Sequence, residues 1–321
     1  MSDFNLQPVA QPVNPELYRA EIAGLKDFML FACGDYEVYL LRSHQAPNLM
    51  QELYRLREET FRAIGEGTGL PLDTDEFDSY YRQMILWNVP NGEITGAYRL
   101  GLGPEIIKEK GIEGFYTSTL FNFYPEIKPL LSKCIELGRS FIAIKYQKEI
   151  FGLKFLLAGV AISSIVCPEA EYYMGPVSMS SAIPAYYQTL AVHFLERDFS
   201  FPNADKLVTN THPFVPDPAC VNPDELIKDV PAGDIDAFDH RLAAISEGKY
   251  RLPVLFRKYF SCHARVACFN VDPLFCNSLD GLIFLKHSEY PQNTLRSLLR
   301  CATPEVREKV WKHFYGVSFS E

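Results

Sequence analysis

The sequence predicts a mixed α/β fold of the α+β kind: a mainly antiparallel sheet flanked by helices, with a C-terminal extension. Three observations carry this expectation. The chain has 321 residues, 47% hydrophobic and 22% charged, which is enough to bury a sizeable core without disulfides or metals. Two strand-like runs, 81–89 (YRQMILWNV) and 94–102 (ITGAYRLGL), flank Pro90-Asn91-Gly92-Glu93 and read as a hairpin. Strand and helix periods then alternate in a β-α-β unit over 134–180.

Each element follows from local chemistry. Asn14 caps an expected helix over 15–30. Residues 37–42 (EVYLLR) read as a strand. Leu49, Leu53, Leu56, Thr60 and Phe61 recur at helical spacing over 47–64, and Gly65 and Gly67 end that helix. A polar loop over 66–79 carries Asp73, Asp75, Glu76 and Asp78. After the hairpin, 106–123 is a variable connection with a short helix. Residues 134–146 (CIELGRSFIAIKY) form a strand, 148–166 a helix that becomes buried, 172–180 a strand and 184–197 a helix with Pro in its first turn. The stretch 199–239 is rich in Pro, Asp and Asn. Short helices at 235–247 and 254–260, strands at 265–271 and 279–285, and a helix at 303–315 complete the chain. The expected division is an N-terminal helical extension (1–36), a core (37–200) and a C-terminal subdomain completing the substrate site (201–321).

Composition excludes several classes. Lys and Arg number 31 against 40 Asp and Glu, a net charge of −9, which excludes a generic nucleic-acid binder but leaves a local basic patch open. With 23 Phe and 18 Tyr the chain is no disordered segment. The first residues lack the basic and apolar regions of a secretory signal. The most apolar stretch, 155–167, is too short to span a bilayer and reads as a buried helix. The eight cysteines form no C-x-x-C pair, and buried free thiols in a reducing cytoplasm are expected.

Motif tests remove further chemistries. There is no G-x-x-x-x-G-K-[ST], no G-x-G-x-x-G after a strand, no G-x-S-x-G and no H-E-x-x-H. The seven histidines are scattered, so no metal is expected. What remains is a set of charges in apolar settings. Glu136 and Arg139 interrupt the strand CIELGRSFIAI, with opposite parity unless Gly138 marks a bulge. Buried charge is costly unless paired. The pair reads equally as an ion pair pinning the sheet or as a functional pair. Arg57 sits one helical turn before Phe61, Asp75 and Asp78 lie in the following loop, and Arg99 lies inside a hairpin strand. Taken singly these read as a solvated helix residue, turn formers and an edge charge.

Their order is more specific than any one of them. Arg57-x-x-x-Phe61, the acidic Asp75-Glu76-Phe77-Asp78 loop, Gly96-Ala97-Tyr98-Arg99 and Glu136-Leu137-Gly138-Arg139-Ser140-Phe141 follow one another in the chain. This pattern resembles the GNAT-fold N-acyltransferases that make ornithine and glycine lipids, often labelled hemolysin-like. It is similar, more distantly, to the acyl-homoserine-lactone synthases. The likeness covers roughly residues 37–290, including Tyr173-Met174-Gly175, Asn270-Val271-Asp272-Pro273 and Asp280-Gly281.

The resemblance implies a GNAT-like sheet and transfer of a (3-hydroxy) fatty acyl group to the amino group of glycine or ornithine. The co-substrate would be an acyl carrier protein thioester or acyl-CoA, with no bound cofactor. It implies Glu136 as general base, with Asp75 and Asp78 binding the ammonium or sharing that role. It implies Arg57, Phe61, Arg99 and Arg139 as substrate-binding residues. Phe141, Ile142, Lys148 and Gly152 would meet the acyl-pantetheine arm. The family's pyrophosphate loop is degraded here to Gln147-Lys148-Glu149-Ile150-Phe151-Gly152, which favours the carrier protein over free CoA. An acidic carrier needs a local cationic rim, for which Lys145, Lys148, Lys154, Arg251, Arg257, Lys258 and Arg265 are available. The product is a lipid, so contact with the membrane surface is expected. Two other readings stay open: a lactone-type synthase using S-adenosylmethionine, and a non-catalytic carrier-binding protein of the same fold. A pore former would need amphipathic inserting segments, and none is evident.

Overall fold

The computed structural model describes residues 6–149 and 151–320; the first five residues of the expected N-terminal extension, Ile150 in the expected helix over 148–166, and Glu321 lie outside the described residues. The strands are β1 (Met29–Cys33), β2 (Tyr36–Arg42), β3 (Arg82–Asn88), β4 (Glu93–Leu102), β5 (Phe121–Phe123), β6 (Cys134–Ile142), β7 (Tyr172–Met179), β8 (Val208–Asn210), β9 (Arg265–Asp272) and β10 (Ser278–Lys286). The helices are α1 (Pro15–Ala23), α2 (Pro47–Arg62), α3 (Gly103–Glu109), α4 (Lys128–Leu131), α5 (Gly152–Ser163), α6 (Ala185–Phe199), α7 (Pro223–Leu226), α8 (Ile235–Ile245), α9 (Val254–Phe260), α10 (Gln292–Leu298) and α11 (Pro304–Tyr315). Eight strands form one sheet in the order β1-β2-β3-β4-β6-β7-β10-β9, and β5 pairs β8 apart from it. Every pairing in the large sheet is antiparallel except β6 with β7.

Strand alternation assigns the two faces. Tyr39, Leu41, Ile85, Ala97 and Phe141 pack under α2 through Leu49, Leu53 and Phe61. Their chain neighbours Val38, Leu40, Met84, Leu86, Tyr98 and Leu100 pack under α5 through Phe155, Leu156 and Val160. The apolar stretch around residue 160 is thus a core helix, and no helix among the described residues is long and apolar enough to cross a membrane.

Three local expectations change. The helix expected over 15–30 ends at Ala23, where Gly24 caps it, and Met29–Cys33 pairs with β2 instead. Backbone pairing of the MLFAC run outweighs its weak helical periodicity. The strand expected over 134–146 stops at Ile142, and the following helix begins at Gly152. The cysteines are not all free thiols. Cys33 is bonded to Cys301, 268 residues away, with Cα atoms 5.5 Å apart, because the fold brings the end of β1 to the turn after α10. The other six are unpaired.

The suspected bulge in β6 is present. Ala97 faces Phe141 and Arg99 faces Gly138, so Tyr98 faces two residues, Arg139 and Ser140. Arg139, not Gly138, takes the left-handed backbone conformation, with φ of 48°.

Candidate functional site

The site begins where β6 and β7 separate. Their parallel ladder holds only from Cys134–Tyr172 to Glu136–Met174. Beyond it, Gly175 lets the strands touch once more. A Cβ there would sit 2.1 Å from the carbonyl oxygen of Leu137. Pro176 follows and has no N–H to donate. On the other strand the bulge turns Gly138–Ser140 away. The two strands therefore splay apart from Leu137 and Pro176 onward.

Two cavities meet at this gap. The first, about 430 Å³, lies on the α2 side and is walled by Phe61, Tyr116, Gly138, Arg139, Pro176 and Ser178, among others. The second, about 400 Å³, lies on the α5 side against Leu153, Leu157, Val160 and Tyr173, with Lys154 and Lys258 in its wall. Leu137 and Tyr259 line both, and a small space bounded by Leu137, Gly175, Pro176 and Tyr259 lies between them. Both have the size of a small-molecule pocket.

Behind the first cavity, three arginines face three aspartates. Arg57, held on the buried face of α2, gives Asp78 two hydrogen bonds of 3.1 and 2.9 Å and places Nε 3.1 Å from Asp73. Arg99 on β4 reaches Asp75 at 2.5 Å and Asp78 at 3.3 Å. Arg139 reaches Asp73 at 3.1 Å, Asp75 at 3.7 Å and the Tyr116 hydroxyl at 3.0 Å. Asp75 caps the turn that carries Asp78, accepting the Phe77 N–H, while Asp78 accepts the Asp75 N–H. Burial opposes ionisation of Asp78, but Arg57 and Arg99 outweigh it and hold the carboxyl well below its usual range. Burial likewise opposes ionisation of Asp73, outweighed by Arg139 and Arg57.

Glu136 is bound differently. It makes no ion pair with Arg139. One oxygen accepts from the Tyr81 hydroxyl and from the Tyr116 N–H at 3.1 Å; the other accepts from the Thr117 N–H at 2.8 Å. Gly101 lies opposite Glu136 in the register, and a Cβ there would stand 2.4 Å from the Tyr81 ring. The glycine lets that ring lie flat on the sheet and reach the carboxylate. Burial raises the Glu136 carboxyl, and the bonds from Tyr81 and Thr117 work against that rise. Glu136 thereby ties the 116–117 turn, and with it Tyr116 in the cavity wall, to β6.

A second set of carboxylates does line the first cavity: Glu66, Asp272 and Asp280. Burial pushes Glu66 up to about 7 and Asp280 up to about 8, and raises Asp272. Sequence reasoning missed all three as site residues, together with Asp73, Tyr81 and Tyr116. One signal was available: Asp280 interrupts the apolar strand SLDGLIFLK just as Glu136 interrupts its own.

The structure thus brings Arg57, Arg99, Arg139, Asp75 and Asp78 into one network and sets Phe61 and Arg139 on the cavity wall. It does not bring Phe141, Ile142, Lys148 or Gly152 to either cavity. The strands part at 137–140, before Phe141 and Ile142, which are paired with Ala97 and Gly96 of β4. Phe141 packs edge-on against Phe61. Gly152 opens α5 against the Ile142 side chain, and Lys148 is exposed.

Comparison with known proteins gives the following. A family pattern described as acetyltransferase (GNAT) domain matches residues 56–154. A glycine N(alpha)-acyltransferase of Bacteroides thetaiotaomicron is 32% identical over 269 residues, covering 80% of this chain and 78% of its own. A glycine N(alpha)-acyltransferase of Phocaeicola vulgatus is 32% identical over 219 residues, covering 65% and 67%. Among solved structures, the CoA-dependent acyl-homoserine lactone synthase MesI aligns over 88% of this chain and 97% of its own, at 11% identity and a TM-score of 0.34. The CoA-dependent synthase BjaI, with SAM and isopentyl-CoA, aligns over 82% and 87%, at 10% identity and a TM-score of 0.36.

Proposed function

This chain belongs to the family of GNAT-domain N-acyltransferases that includes the Bacteroides glycine N(alpha)-acyltransferase, and from that premise we propose that it moves a fatty acyl group from an acyl carrier protein thioester to the amino group of glycine. The observation that carries this reading is the gap between β6 and β7 joining cavities on opposite faces of the sheet. A thioester arm entering along α5 meets, in the gap, an amine held on the α2 side. Backbone groups of β6 past Glu136 that face the gap have lost their β7 partners and are available to the thioester carbonyl as its oxyanion develops.

The charges divide the remaining work. Arg139, on the cavity wall, anchors the carboxylate of the amino acid. Asp73, Asp75 and Asp78 act by holding the three guanidiniums. Glu136 acts by fixing Tyr116. The carrier protein is favoured over CoA by the stretch before α5, where the Glu149 carboxylate accepts from the Tyr36 hydroxyl and would repel a diphosphate. Lys154 and Lys258 in the second cavity suit the approach of an acidic carrier.

The test offers the purified protein an acyl carrier protein thioester or acyl-CoA, with glycine, ornithine or S-adenosylmethionine, and identifies products by mass spectrometry. N-acylglycine formed from the carrier thioester is expected. Preference for ornithine replaces the acceptor in this reading, and equal turnover of acyl-CoA replaces the donor. No amide from any amine refutes it.

A further inference from the structure

We propose that Asp280 is the catalytic base that takes the proton from the acceptor's ammonium, and that Glu66 and Asp272 tune it through their negative charge. This rests on the amide-forming reading above and assigns the step which that reading leaves without a residue.

The acids near the gap are the candidates. Asp73, Asp75 and Asp78 are each ion-paired with arginine, and none of them lines the first cavity. Glu136 accepts three hydrogen bonds and lies outside the first cavity's wall. Glu66, Asp272 and Asp280 do lie in that wall. Arg139 bears on Glu66 and Asp272, and His212 on Asp272. The Arg139 guanidinium is already held by Asp73 and Asp75, and Arg251, the cavity's other guanidinium, is held by Asp239 at 2.8 Å. Asp272 is tied into its own turn through the Leu274 N–H at 2.9 Å. Asp280 accepts the Ser278 hydroxyl at 3.3 Å, and the Ser178 hydroxyl also acts on it. It sits on β10, which is paired on both sides, by β7 and by β9. Ser178 stands directly opposite it on β7, two residues past Pro176 where the gap opens. This is a rigidly mounted acid beside the reaction space, with capacity left for a donor.

Its surroundings also set its basicity. Burial is the main effect, and the charges of Asp272 and Glu66 add to it, while Ser178 and Ser278 oppose it. The result, about 8, matches a base working near neutral pH. An ammonium in the cavity transfers its proton to Asp280. The freed nitrogen lone pair forms the C–N bond to the thioester carbonyl carbon. The C–S bond then breaks, the newly bonded nitrogen gives its second proton to the departing carrier thiolate directly or through water, and Asp280 releases the first proton to solvent.

The test measures pH–rate profiles of wild type, Asp280→Asn and Glu66→Gln on whichever amine the wild type acylates. A wild type without amide synthesis would defeat the functional reading itself, before the base is in question. Asp280→Asn is expected to lose roughly 100-fold or more in kcat, with the KM for the thioester little changed. Glu66→Gln is expected to move the acid limb of kcat/KM to lower pH, because one charge raising Asp280 is gone. Circular dichroism confirms that each variant is folded. Asp280→Asn turning over within threefold of wild type, or an acid limb that stays in place in Glu66→Gln, overturns the proposal.

Discussion

Replacing Asp280 by Asn should stabilise the fold in alkaline buffer and leave it unchanged in acid. Burial lifts the carboxyl from the ordinary 3.8 to about 8, with Asp272 and Glu66 adding to the lift. The sign follows from the two states. The unfolded chain releases this proton near pH 4, while the folded chain holds it until near pH 8. Across that window the unfolded state gains stability relative to the folded one by about 1.4 kcal/mol per pH unit. The full difference is about 6 kcal/mol as an upper bound. The cavity admits solvent and the neighbouring acids titrate too, so about half, ~2–3 kcal/mol, is the working figure. Asn mimics the neutral carboxyl and escapes this cost. For a chain of 321 residues this corresponds to a Tm gain of about 4 °C at pH 9, shrinking to about zero at pH 4. Thermal unfolding of wild type and variant in matched buffers from pH 4 to 9 measures the gap. A gap that is flat with pH refutes the raised carboxyl. A gap of opposite sign means that a cation stabilises the ionised form.

Three further substitutions probe the rest of the site. At Gly138 an added Cβ meets nothing within 4 Å, so Gly138→Leu should change stability by less than about 1 kcal/mol yet lower kcat/KM more than about tenfold by filling the first cavity. A simultaneous unfolding assay separates blockage from misfolding. Gly175→Ala should cost about 3 kcal/mol in urea unfolding, because its Cβ meets the Leu137 backbone oxygen at 2.1 Å and no side chain can yield there. Arg57→Met should cost about 3–5 kcal/mol, since it leaves Asp73 and Asp78 buried without that partner; adding Asp78→Asn should recover part of the loss, measured in a double-mutant cycle.

Much of the fold could be read locally. The hairpin of β3 and β4, the α2 stripe of Leu49, Leu53 and Phe61, and the bulge beside Gly138 all depend on neighbours a few residues apart. The grouping of Arg57, Arg99 and Arg139 with Asp75 and Asp78 was legible through the order of motifs shared with the resembling family; singly, Arg57 reads as a solvated helix residue, the aspartates as turn formers and Arg99 as an edge charge. The rule that a buried charge needs a partner of opposite sign failed for Glu136. The sequence pairs it with Arg139, while the fold gives it a tyrosine hydroxyl and two backbone N–H groups from a segment with no motif of its own. Phe141 and Ile142 were assigned to the gap, which opens earlier. The opening depends on Gly175 and Pro176 of another strand, and β6 read in isolation carries no trace of it.

By itself, then, the sequence determined the class of fold and most of its elements, because periodicity, caps and turns act at short range, while the ionic network joins residues far apart in the chain and was legible only through the resemblance. Only the tertiary structure decided which acids face the reaction space. Glu66 follows α2, while Asp272 and Asp280 lie on the paired strands β9 and β10, and each would be an ordinary solvated carboxylate on an open chain. Burial is the main cause that raises them, with Arg139 engaged by Asp73 and Asp75 and Arg251 by Asp239. Desolvation is a property of the packed environment, not of the residue, so it emerges only when β10 closes against β7.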